Sequence, residues 1–211
     1  MLGQNDSPGA PLMKYRVPVA LIALWPVFLF ASPAAAQEDA SERGDAAYEM
    51  GDYEEAFKWY SQAAEQGNLA AQLNIGIMYD DGIGVAENDA EAAKWFRLAA
   101  EQGDEQAQHN LGVMYEEGEG VAPSHSEAVK WYRMAAEQGY APSQLNLGVM
   151  YAQGTGVSKN YVEAHKWLSL SAAQGNDLAA ANKEIVGSWM SPAQIEKSEK
   201  LLLEWKPAAE R

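Results

Sequence analysis

The chain has no cysteine. That excludes disulfides, thiolate metal sites, a cysteine nucleophile and a lipid-modified N-terminal cysteine. It assigns no compartment, because a core that grows by repetition needs no staples. Histidine is scarce: only His109, His125 and His165 occur, each at a different phase, and H-E-x-x-H is absent, so no zinc pair is spelled. No serine is followed by lysine at three, and no Gly-x-Ser-x-Gly occurs, so two serine-nucleophile signatures are missing. The run Asp80 to Asp89 lacks carboxylates at alternate positions and is not a calcium loop. Basic residues are few, 15 against 30 acidic, for a net charge of -15. Without residues 1–36, which hold Lys14, Arg16 and Asp6, 13 basic and 29 acidic side chains remain, a charge of -16. Such a surface repels nucleic acid and anionic membranes, and a partner chosen by charge is neutral or basic.

Long apolar runs are also missing, with one exception. Val17 to Phe30 is uncharged over 14 residues, which is short for a membrane span, and it contains Pro18 and Pro26. Met13-Lys14-Tyr15-Arg16 precedes it and Ala34-Ala35-Ala36 follows. A basic start, an apolar middle and small residues at the cleavage positions form a secretory signal peptide over residues 1–36, cut before Gln37. Residues 1–12 add nothing to that pattern, which points to Met13 as the true start. The mature chain is therefore expected to be periplasmic or secreted, without stable membrane insertion.

What the chain has in abundance is repetition. Asn68 to Gly103, Asp104 to Gly139 and Tyr140 to Gly175 align over 36 residues each with no insertion or deletion. Trp59, Trp95, Trp131 and Trp167 keep the same spacing of 36. A fixed period of this size marks a solenoid, in which each unit buries its apolar face against its neighbours. The first helix of each full unit carries Ile75, Gly76, Met78 and Tyr79, or their counterparts, at spacings of three and four. Glycine inside a helix costs about 1 kcal/mol relative to alanine. Gly76, Gly112 and Gly148 are thus expected to mark close contact with Ala92, Ala128 and Ala164. Gly82-Ile83-Gly84, Gly118-Glu119-Gly120 and Gly154-Thr155-Gly156 stop the first helices. Asp52, Asn88, Ser124 and Asn160 stand three residues before Glu55, Glu91, Glu127 and Glu163, a capping-box spacing. The tryptophans fall on the apolar face, where core packing outweighs a sugar-stacking role.

The motif A-x-x-N-[IL]-G-x-M-Y-x-x-G-x-G-V, continued by E-A-x-K-W-[FY]-x-x-A-A-E-Q-G, resembles the Sel1-like repeat, a longer-loop relative of the tetratricopeptide repeat. The resemblance implies an all-α solenoid of stacked antiparallel helix pairs, wound as a right-handed superhelix. Residues 37–67 form a tetratricopeptide-like first unit, 68–103, 104–139 and 140–175 the full units, and 176–211 a degenerate capping pair. It further implies that the first helices line a concave groove. The groove set is Leu73, Asn74, Ile77, Asp80 and Asp81; His109, Asn110, Val113, Glu116 and Glu117; and Leu145, Asn146, Val149, Ala152 and Gln153. Asn74, Asn110, Asn146 and Asn182 form a ladder that either meets an extended peptide or ties one helix to the next. Two acidic pairs, Asp80-Asp81 and Glu116-Glu117, sit at helix C-termini against the macrodipole, which hints at a basic partner. The expected function is a non-catalytic adaptor that binds a protein or peptide in this groove and needs no cofactor or metal. The alternative is an envelope enzyme or ligand-binding protein acting on peptidoglycan or β-lactam-like substrates, though the Sel1-like proteins linked to β-lactams are rich in the cysteine lacking here.

Overall fold

A computed structural model describes residues 35–208. The signal peptide and the alternative start at Met13 lie outside the described residues. Those residues form ten helices and no strand: α1 (Ala35–Glu49), α2 (Tyr53–Glu65), α3 (Leu69–Asp81), α4 (Asp89–Glu101), α5 (Glu105–Glu117), α6 (His125–Gln138), α7 (Ala141–Gln153), α8 (Tyr161–Ala173), α9 (Asp177–Ser188) and α10 (Pro192–Glu204). Each helix packs on the next in sequence from α1 to α9, so the chain is an all-α solenoid of helix pairs. None of these helices is long and apolar enough to cross a membrane.

Local chemistry sets the helix ends. Asn68, Asn88, Asp104, Ser124, Asn160 and Asn176 each accept a backbone N–H three residues on, satisfying a donor that the first turn leaves free. The expected reciprocal half of the box is absent at the second helices. Glu55, Glu91, Glu127 and Glu163 instead accept from Lys58, Lys94, Lys130 and Lys166 at 2.6–3.1 Å, and the carboxylate's bond to an ammonium replaces the one to the cap. The reciprocal box appears at α10, between Ser191 and Gln194.

The glycines of the three full units make room chiefly for the side chain four residues beyond the expected alanine, a ring at two of them and a leucine at the third. A Cβ on Gly76 would stand 2.6 Å from the Phe96 ring, and one on Gly112 would stand 2.7 Å from Tyr132. At Gly148 the neighbours are Leu168 Cγ at 2.8 Å and the Ala164 carbonyl at 3.2 Å. The reason is geometric: the side chain four residues beyond the small alanine leans back over the facing helix. Phe96 and Tyr132 are in consequence fully buried.

The Gly-x-Gly loops do more than stop helices. Gly82, Gly118 and Gly154 take left-handed cap conformations, as expected. The second glycines, Gly84, Gly120 and Gly156, have φ of 66–69° and lie against backbone carbonyls of Tyr53, Asp89 and His125. Each loop therefore lands on the start of the second helix one unit earlier. Val85, Val121 and Val157 follow it down onto hydrophobic clusters. Trp131 and Trp167 are buried in the core, and Trp59 and Trp95 pack half-buried against it.

The C-terminal helices break the alternation. α9 packs on α8, as a next first helix would. α10 packs chiefly on α8 instead of pairing with α9. Leu202 and Trp205 reach the cluster around Tyr132 and Trp167, and His165 Nδ1 lies 2.9 Å from Ser198 Oγ.

Candidate functional site

The first helices present their last turns to solvent. Asp81, Glu117 and Gln153 are exposed, and Asp80, Glu116 and Ala152 are half-buried. Glu116 accepts the Tyr132 hydroxyl at 2.8 Å. Burial first, and the neighbouring Glu116 carboxylate second, push Tyr132 well above the usual tyrosine range.

The rest of the predicted groove divides. Ile77, His109, Leu145 and Val149 belong to the packed interior, and this corrects the reading of them as open groove residues. The cause is lateral packing: the first helix of the following unit covers the side that faces it. Ile77 shares a cluster with Leu111 and Met114, and Leu145 and Val149 share one with Ala179 and Val186. His109 sits between the rings of Tyr132 and Tyr140, with Nδ1 2.9 Å from Ser143 Oγ. Leu73 and Val113 are half-buried against clusters of their own.

The asparagine ladder is half-buried throughout. Asn74 and Asn146 lie at the hydroxyls of Tyr60 and Tyr132, where each favours the ionised phenol against the larger effect of burial. Here the ladder ties a second helix to the next first helix. Phe96 and Leu168 hold the equivalent positions before Asn110 and Asn182, and neither has a hydroxyl. Asn182 Nδ2 is buried with no hydrogen-bond partner.

At that last rung a cleft of about 420 Å³ opens between the third full unit and α9. Val149, Leu168, Ile185 and Trp189 supply apolar wall, and Lys159 and Asn182 each add a nitrogen donor. Ala152 and Gln153 also line it. Ile185 and Trp189 stand 36 residues after Val149 and Gln153, so they continue the same two rows. Sequence reasoning missed them because the Gly and Tyr of the repeat fade after Gly175 while these rows persist.

A family model described as Sel1 repeat matches residues 40–68, 69–104, 105–140 and 141–176. The chain belongs to the Sel1 repeat family. The first match takes in the unit read from sequence as tetratricopeptide-like. Among solved structures, a Sel1 repeat protein from Oxalobacter formigenes is 41% identical with a TM-score of 0.65, over 69% of this chain and 60% of that one. A protein described as c5321, a protective antigen present in uropathogenic Escherichia coli strains and displaying an SLR fold, is 28% identical with a TM-score of 0.57, over 84% of this chain and 48% of that one. The chain thus spans less than two thirds of either structure. No curated protein matches it at a significant level.

Proposed function

We propose that this Sel1 repeat chain is a non-catalytic scaffold acting outside the cytoplasm, which binds a protein or peptide along the face made by the last turns of its first helices. The observation that carries the reading is the contrast between two sets of positions. The helix caps, loop glycines and tryptophans recur at 36, whereas the exposed last turns change from Asp80-Asp81 and Glu116-Glu117 to Ala152-Gln153 and Ser188-Trp189. A framework held constant beneath a changing surface suits one partner read along its length, basic at the acidic end and apolar at the other. Residues 1–36 support export. A relative described as a protective antigen is in keeping with a place in or beyond the envelope.

The test is capture of proteins from envelope extract by the wild-type chain and by a variant carrying Asp80→Asn, Asp81→Asn, Glu116→Gln and Glu117→Gln. A partner retained by the first and lost by the second supports the reading. Equal capture removes the acidic half of the face from it. Turnover of a peptidoglycan or β-lactam-like substrate, abolished by one substitution on this face, would overturn the non-catalytic assignment.

A further inference from the structure

Resting on the reading that this face binds a peptide, we propose that the cleft beside Asn182 receives the C-terminal residue of a partner, a large apolar side chain carrying a free carboxylate.

The cleft exists for two reasons. Leu168 stands where Tyr60, Phe96 and Tyr132 place rings, so less of the space between neighbouring first helices is filled. α10 then lies on α8 and leaves one side of α9 uncovered, so Ile185 is 50% and Trp189 54% exposed. The walls are apolar, and the volume of about 420 Å³ falls within the range of small-ligand pockets.

The polar groups decide what fits. Asn182 Nδ2 is buried with no acceptor, and a buried N–H left unpaired carries its full desolvation cost. The rungs at Asn74 and Asn146 each meet a tyrosine oxygen, whereas Phe96 and Leu168 offer none to Asn110 and Asn182, and of these two only Asn182 has a buried amide nitrogen without an acceptor. Lys159 brings an ammonium to the lining, 5.9 Å from the centre of the Tyr161 ring. In a chain with 30 acidic residues, no Asp or Glu lines this cleft. A cationic nitrogen and the side-chain amides of Gln153 and Asn182, with no carboxylate among them, in a largely apolar wall call for an anionic oxygen on an apolar body. An internal Asp or Glu brings a carboxylate with only one or two methylenes. A C-terminal residue carries its carboxylate on the same carbon as its side chain, so both needs are met within one residue.

The probe is a set of fluorescent hexapeptides of constant Gly-Ser sequence in which the last residue is varied, each as free acid and as amide. The mature chain is expected to select Leu, Phe or Trp at the last position in the acid form, with affinity falling about tenfold on amidation. Lys159→Met and Asn182→Leu should each weaken the acid and leave the amide unchanged. Asn182→Leu should also hold or raise the thermal midpoint, because it deletes an unpaired donor, so loss of folding cannot account for lost binding. Equal binding of acid and amide, selection of polar last residues, or no binding would overturn the proposal. So would N-acetyl-phenylalanine binding as tightly as the hexapeptide, which would make this a small-acid site. A partner captured from extract whose binding is indifferent to Lys159 and Asn182 would leave the groove reading standing and remove this one.

Discussion

Gln102 donates its side-chain amide to Gln72 Oε1 at 2.6 Å, and Gln72 donates in turn to the Ala64 carbonyl at 3.2 Å. The chain recurs as Gln138 to Gln108 to Ala100, and as Gln174 to Gln144 to Ala136. Each run joins the end of one second helix, through the following first helix, to the end of the next second helix. Gln72, Gln108 and Gln144 are buried, so these bonds are made out of water and are costly to leave half-made.

Gln108→Leu should therefore destabilise the array by about 1–3 kcal/mol, because the Ala100 carbonyl loses its side-chain donor and Gln138 one of its two acceptors, keeping only the Gly103 carbonyl. Gln102→Ala, at an exposed residue whose group water replaces, should cost less. Urea unfolding followed by circular dichroism gives both, and equal effects would deny the buried link its role.

The loop glycines separate backbone strain from collision. Gly103 has φ of 103° with nothing near its missing Cβ, so Gly103→Ala should cost about 1–2 kcal/mol, for the left-handed conformation alone. Gly120 has φ of 66° and lies on the Asp89 carbonyl. Gly120→Ala should cost distinctly more in the same urea measurement. A matched pair of values would mean that the loop does not land on α4.

Alkali should unfold the array through its tyrosines. Burial first, then the Glu105 and Asp104 carboxylates, push Tyr140 up to about 12, and Tyr132 is also raised. A folded value above the unfolded 10.0 means that this stability is present below pH 10 and lost as pH rises through the folded values. Tyr132→Phe should cost about 1–2 kcal/mol at neutral pH, from the bond to Glu116, and move the alkaline midpoint upward. Phe96 already fills that position one unit earlier. Tyrosinate absorbance read alongside circular dichroism checks both effects.

Acid should loosen α10. Burial, and then Lys183, hold His165 below its usual 6.5, against a smaller upward pull from Glu199 and Glu184. With the folded value depressed, the contribution is present above the ordinary value and lost as pH falls through the folded one. Once the intrinsic slowing of exchange in acid is divided out, amide protection in α10 should therefore fall below pH 6.5 ahead of that in α3 to α6, and His165→Gln should flatten the difference. Exchange in α10 that tracks the other helices at every pH would contradict this.

The helix pairs, their phase and the role of the tryptophans were legible, because periodicity and capping are local signals that the sequence repeats. The site was legible only in part. His109 and Val149 were placed in the groove by the resemblance to tetratricopeptide arrays, which does not say which side chains the next unit covers. The glutamines at 72, 108 and 144 recur at 36, but spacing alone does not say that they bond from one unit to the next. Trp189 was hidden because α9 keeps the groove rows while losing the framework that announces a repeat.

The landing of Gly84 on Tyr53 gives the array a direction. Every internal unit extends a loop backward onto its predecessor, and the unit at 40–68, before which no repeat is matched, turns tightly through Gly51-Asp52 and has no such loop. Internal units are thus interchangeable modules with a plug on one side and a socket on the other, whereas the first has the socket alone. Duplicating 69–104 within the array should lengthen it in register, but a unit added ahead of Ala40 would meet a neighbour with nothing to dock.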